Sequence, residues 1–177
     1  MVSRASSWHH DGVKNIALIT LLTASTAPAQ QAPAPVNLAT TPTVQVTALS
    51  LDAANRLAMQ AVAQCAAAGY HVTATVVDRS GVTLAVARSE NAGPHTVGAS
   101  YGKAFTSASG RNLTSEMAKG LQNNPGLAAI PGYLLLAGGV PVRIGAAVVG
   151  AVGVGGAPSG LIDEKCATDA LKAVLGL

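Results

Sequence analysis

His95 is the side chain best placed to do chemistry in this sequence. It follows Gly93-Pro94 and opens a stretch with helical periodicity, so its ring is expected at a helix N-terminus. The dipole there disfavours imidazolium, which leaves a neutral ring able to ligate a metal or a haem iron, or to move a proton. The plain alternative is a surface histidine beside a cap. Cations stand on both sides of it in sequence: Arg88 before, Lys103 and Arg111 after. A guanidinium matches the geometry of a carboxylate, so these residues could meet a ligand acid group such as a propionate. The ordinary reading of Arg88 and Glu90 is an ion pair or a solvated loop. His71, beside Tyr70 at the start of a β-rich run, reads as a packing residue. Asp78-Arg79 reads as turn chemistry.

Other patterns exclude functions. The run from Gly150 to Pro158 lacks the third glycine of a dinucleotide fingerprint, and no phosphate-loop Lys-Ser/Thr follows it. Its ordinary role is tight strand packing and a turn. No Ser-His-Asp set and no pair of carboxylates stands out. Cys65 and Cys166 form no CxxC and no Cys/His ligand spacing, which argues against structural zinc. Both fall on apolar faces of predicted helices, where a free Cys packs as a small hydrophobe. Core packing is therefore expected, although an oxidising compartment would permit a bridge.

The elements that must position these residues are organised around 132–156. This stretch has no acid and one base, Arg143, and its apolar runs are broken by Gly138-Gly139, Pro141 and Gly145. Seven glycines between 138 and 156 would each cost about 1 kcal/mol in a helix. Strands are predicted near 133–136, 140–144 and 146–154. Upstream, Ser50 is a good N-cap with Asp52 in the first turn, and Ala54, Leu57, Ala58, Ala61, Val62 and Cys65 follow helical spacing up to Gly69. Residues 71–77 and 82–87 read as a hairpin closed by Asp78-Arg-Ser-Gly81. From His95, an apolar stripe of Val97, Tyr101, Ala104, Phe105 and Ala108 predicts a helix with Lys103 and Ser107 off the stripe. A shorter helix is expected over Thr114–Leu121. A last helix is expected over Leu161–Val174, with Asp163 and Glu164 in its first turn. The order is α-β-β-α-α-β-β-β-α. Short connections favour an antiparallel sheet with helices packed on it.

The chain has 177 residues, 49% hydrophobic but only 3% aromatic, so its core must be built from Ala, Val and Leu. Charged residues are 11%, which favours burial of surface in a homo-oligomer. The net charge of +3 is scattered, with no footprint for nucleic acid. Lys14, the apolar run Ile16–Leu22 and Ala27-Pro28-Ala29 read as a signal peptide over 1–29, too short for a membrane span and pointing to a periplasmic or secreted protein. Residues 1–12 form an odd leader, and a start at Val13 would give a compact signal; a precursor peptide containing Trp8 would rule that out. A Pro/Ala/Thr-rich linker over 30–48 then leads to one domain over 49–177.

Several motifs fall in an order that resembles the GlcG/HbpS-like haem-binding family, itself similar to the carboxy-terminal domain of PduO-type proteins. They are Ala74-Thr-Val-Val-Asp78-Arg-Ser-Gly81, Asn91-Ala-Gly-Pro-His95-Thr96, Lys103-Ala-Phe-Thr106, Gly138-Gly-Val-Pro141-Val, and Val149 through Ala157 on to Asp163-Glu-Lys-Cys166-Ala. The resemblance spans 49–177. It implies an α+β fold with a five-stranded antiparallel sheet flanked by helices, profilin-like, and higher oligomers. It also implies haem as cofactor, with roles in iron and redox sensing or haem degradation. On it, His95 becomes the candidate iron ligand, Arg88, Lys103 and Arg111 the candidate propionate partners, and Tyr101 an available aromatic. Where members often carry Ser in the Gly-Val-x-Gly motif, this chain has Gly155. Two rival readings stay open: an enzyme acting on a small organic acid with His95 as acid/base, and a non-catalytic assembly module.

Overall fold

The structure, a computed structural model, describes residues 34–177. The expected signal peptide and the start of the linker lie outside the described residues. The chain divides into two compact units at Pro42. The described part of the first, 34–42, is exposed and carries no helix or strand. The second, Thr43–Leu177, holds the fold.

Helix α1 (Leu51–Ala67) starts where the cap residue predicts: the Ser50 side chain accepts from the Ala53 N–H at 3.2 Å. Gly69, at φ +85°, ends its C-terminal turn. Strands β1 (Thr73–Asp78) and β2 (Thr83–Arg88) form the expected hairpin. Asp78 Oδ1 accepts from the N–H groups of Ser80 and Val82 at 2.8 and 2.9 Å, and Gly81 takes φ +82°. Helices α2 (His95–Gly110) and α3 (Thr114–Lys119) follow. Two 3₁₀ turns, Gly120–Gln122 and Pro125–Ala129, lead to β3 (Gly139–Ile144), β4 (Ala147–Gly155) and α4 (Gly160–Leu175).

The sheet is antiparallel in the order β2-β1-β4-β3. It has four strands, not five. The apolar stretch near 133–136 forms no strand, because its backbone is held by a helix instead. The Leu134 N–H donates to Thr106 Oγ1 of α2 at 2.7 Å. Pro141 sits in β3, an edge strand, where a missing N–H is tolerated.

Period-two alternation gives the sheet two different faces. On one, Ala74, Val76, Val140, Val142, Val152 and Val154 meet Leu57, Ala61 and Leu171 of α1 and α4. Here Cys65 and Cys166 are bonded, with Cα atoms 5.4 Å apart, rather than packed as free thiols. The apolar faces identified for the two cysteines are correct; it is their mutual approach that makes a bridge.

The other face corrects the predicted orientation of α2 in part. Its buried residues are Thr96, Ser100, Gly102, Lys103, Ala104, Thr106, Ser107 and Ala108, so Ala104 and Ala108 of the predicted stripe do face inward. Val97 and Tyr101, read as inward, are 43% and 41% exposed. The reason is close backbone approach. A Cβ built on Gly153 would sit 2.1 Å from Ser100 O and 2.4 Å from Ala104 N. Only small side chains fit between β4 and α2 at that distance, so the larger ones turn outward. Two pairs of buried hydroxyls satisfy one another: Thr96 Oγ1 donates to Gly93 O at 2.6 Å, so its contact with Thr73 Oγ1 at 2.7 Å must be donated by Thr73. Thr75 and Ser100 repeat the arrangement one turn on, with Ser100 donating to Val97 O.

Candidate functional site

His95 is the first residue of α2, preceded by Pro94 with no side-chain cap. Arg88, at the end of β2, donates from Nη2 to Ala92 O and so shapes the connecting loop. A Cβ on Gly93 would lie 2.7 Å from Cε1 of His95. Glycine at 93 is therefore what lets the imidazole fold back over the loop.

His95, Ala99 and Lys103 stand at i, i+4 and i+8, one side of α2, and line a half-open cavity of about 470 Å3. Leu136 and Ala137 line it from the segment before β3. The end of β4 supplies Gly155, the connection to α4 supplies Gly156, Ala157 and Ser159, and α4 supplies Gly160, Leu161 and Asp163. Apart from His95, Ser159 and the charged pair of Lys103 and Asp163, the lining is glycine or aliphatic. Such a cavity suits a largely apolar ligand oriented by few polar groups.

That charged pair is buried. Lys103 and Asp163 are 4% and 2% exposed, with Nζ 2.7 Å from Oδ2. Nζ also donates to Val154 O at 2.9 Å, and Asp163 Oδ1 accepts from the Ala157 N–H at 3.0 Å. Gly138 makes room for the ammonium: a Cβ there would lie 2.8 Å from Nζ. Burial pushes the Asp163 carboxyl above the usual range, against the opposing pull of Lys103 and the N–H groups of Ala157 and Gly156. Next along the chain, Glu164 accepts from the Ser115 hydroxyl at 2.7 Å and the Gly138 N–H at 3.3 Å. The two acids of the first turn of α4 thus tie it to α2, α3 and the segment before β3.

Of the candidate residues, the structure brings His95 and Lys103 to one cavity. Lys103 already has an acid partner and a carbonyl, so it is not a free cation facing a ligand. Arg88 stays near His95 through the loop it braces. Tyr101 lies on another side of α2, its ring centroid 6.0 Å from that of Phe105. Arg111 follows the last residue of α2, about 24 Å along the helix from His95. Asp163 was missed as a site residue. Its one sequence signal, an acid at a helix start, has an ordinary explanation. No group of three or more metal-ligating side chains occurs among the described residues.

Residues 49–172 match the family described as haem degrading protein HbpS-like. An uncharacterized 15.0 kDa protein from the dhaT-dhaS intergenic region of Citrobacter freundii is 30% identical over 117 residues, 63% of this chain and 82% of that one. Among solved structures, a double mutant of Streptomyces reticuli HbpS is 46% identical at a TM-score of 0.74, covering 83% of this chain and 100% of its own. A PduOC:heme complex is similar in fold, with a TM-score of 0.67 at 21% identity over 73% of this chain and 96% of that one.

Proposed function

The chain belongs to the HbpS-like family of haem degrading proteins, and from that premise we propose that it is a secreted or periplasmic, oligomeric haem-binding protein. The observation that carries the reading is His95 at a cavity walled by Ala99, Leu136, Ala137, Ala157 and Leu161. An imidazole can ligate iron, and aliphatic walls suit the face of a porphyrin. The residues fit one edge of the macrocycle. Because the cavity is half-open, the remainder needs cover from outside this fold. Leu136 and Leu161 of its lining are exposed apolar side chains, and a second subunit seated there would supply that cover.

In this reading His95 holds the iron and Leu136 and Leu161 contact the ring. Arg88, exposed and near the His95 loop, is the cation available to a propionate. Bound haem would supply redox-active iron. The buried pair of Lys103 and Asp163 keeps the cavity base in place without presenting net charge. That arrangement takes Lys103 away from the rival organic-acid enzyme and leaves Arg88 as its carboxylate-binding cation.

Titration of the full chain with haem, followed by its Soret band, tests this. We expect saturable one-to-one binding, and a changed spectrum with roughly ten-fold weaker binding in His95→Ala, the order of one lost charge-assisted or metal contact. An unchanged spectrum would move the iron contact away from His95, and no saturable binding would sink the proposal. Sedimentation of the same samples reads the oligomer; a monomer at micromolar concentration would remove that part.

A further inference from the structure

A second cavity, of about 630 Å3, lies at the opposite end of the sheet. It falls in the size range of small-molecule sites, about 300–1,000 Å3. Three arginines line it. Arg79 comes from the turn between β1 and β2, Arg111 follows α2, and Arg143 comes from the end of β3. No acidic residue is among its lining. Among the described residues, none of the three takes part in an ion pair. Arg143 donates to Arg111 O, whereas the Arg79 and Arg111 side chains have no hydrogen-bond partner there.

Helix C-terminal carbonyls attract cations, which accounts for one arginine near the end of α2. They do not account for three converging without an acid. The backbone adds a second observation. Arg111 takes φ +54°, the single positive value among the described non-glycine residues. That position after a helix normally holds Gly or Asn, and a larger residue there costs about 1 kcal/mol or more. Gln45 and Thr47 add hydrogen-bonding groups from the segment before α1.

We propose that this cavity binds a small multivalent oxyanion, a molecule carrying two or more phosphate or carboxylate groups. Guanidiniums pair with both groups in the same two-pronged geometry. One anionic group would meet Arg111 and Arg143 and another Arg79. The site is separate from the His95 cavity and does not depend on haem binding.

Calorimetric titration of the full chain with sodium pyrophosphate, and separately with citrate, at low ionic strength tests the proposal. Saturable one-to-one binding of at least one anion is expected, weakening as salt is added. The tighter of the two assigns phosphate or carboxylate as the preferred group. Arg79→Gln lies in an exposed turn, and Arg111→Gly suits its left-handed backbone, so both should fold. Each is expected to weaken binding about ten-fold, while His95→Ala leaves it unchanged. Failure of both anions to saturate would overturn the proposal and leave three solvated side chains around a depression. Equal binding by wild type and both arginine variants would overturn it too.

Discussion

Replacing Lys103 by Met is expected to destabilise the fold by about 3–5 kcal/mol at neutral pH, the cost of leaving one member of a buried pair alone. Asp163 would lose its counter-charge at 2.7 Å, and Val154 O would lose a donor. The backbone N–H groups of Ala157 and Gly156 would then be left to hold the carboxyl. The pH dependence identifies the cause. Burial already holds the Asp163 carboxyl above its ordinary value of 3.8. A native group with a raised pKa keeps its proton where the unfolded chain has lost it, so this group's contribution to stability falls as pH rises from there through the native pKa. Lys103 pulls that pKa down, so its removal extends the window upward. The deficit of Lys103→Met should therefore shrink as pH falls towards 4. Urea unfolding at several pH values measures it. The double variant Lys103→Met/Asp163→Leu should recover much of the loss, because two apolar residues leave no buried charge. A single-variant deficit below about 1 kcal/mol, or one that does not change with pH, would show that the pair acts as an exposed ion pair does.

The same pair shows where the sequence could be read and where it could not. Helices α1 and α4 and both hairpins were legible, because Ser50, Asp78, Gly81 and the alternating valines each specify a local geometry that tertiary packing then keeps. The buried face of α2 was legible only in part. Apolar periodicity assumes that the larger residues go inside, and beside Ala104 and Ala108, which are buried, it chose Val97 and Tyr101, which are exposed, and Phe105, which is half-buried. The decisive information lies some fifty residues away, in Gly153 and Gly155, which bring β4 so near that only Ser, Thr, Ala and one extended Lys fit. That close approach buried Lys103 and made Asp163 its partner. Asp163 gave no separate signal, since an acid in a first helical turn has a sufficient local reason. The predicted strand near 133–136 failed for a related cause: Leu-rich sequence states that a segment is apolar, not which donors its backbone will find. His95 was correctly placed at a helix start, and its cavity follows from the same approach of α2 to β4. Arg111 was grouped with His95 because it follows the same helix. The length of that helix is what separates them.

Loss of the Cys65–Cys166 bridge is expected to cost about 4–5 kcal/mol, the value the chain-entropy account gives for a loop of roughly 100 residues. The two cysteines are 101 residues apart, so the closed loop takes in every strand of the sheet together with α2 and α3. The bond sits between α1 and α4, the two helices that cover one face, and both cysteines are buried. Reduction leaves the aliphatic packing around them nearly intact. The loss should therefore appear as a freer unfolded chain more than as a damaged native one. Two observations separate these causes. The Cys65→Ser/Cys166→Ser variant should unfold at a midpoint about 10–20 °C below the oxidised protein, with its circular dichroism at 20 °C unchanged. Wild type under reducing conditions should unfold close to that variant. A midpoint within a few degrees of the oxidised protein would mean that the unfolded chain is already held compact without the bond. Altered dichroism at 20 °C would instead place the bond among the contacts that hold α1 and α4 on the sheet. In a core with almost no aromatic bulk and many alanines, each buried side chain contributes modestly. The covalent tie between α1 and α4 and the buried ion pair between α2 and α4 then supply stability that larger side chains would otherwise provide.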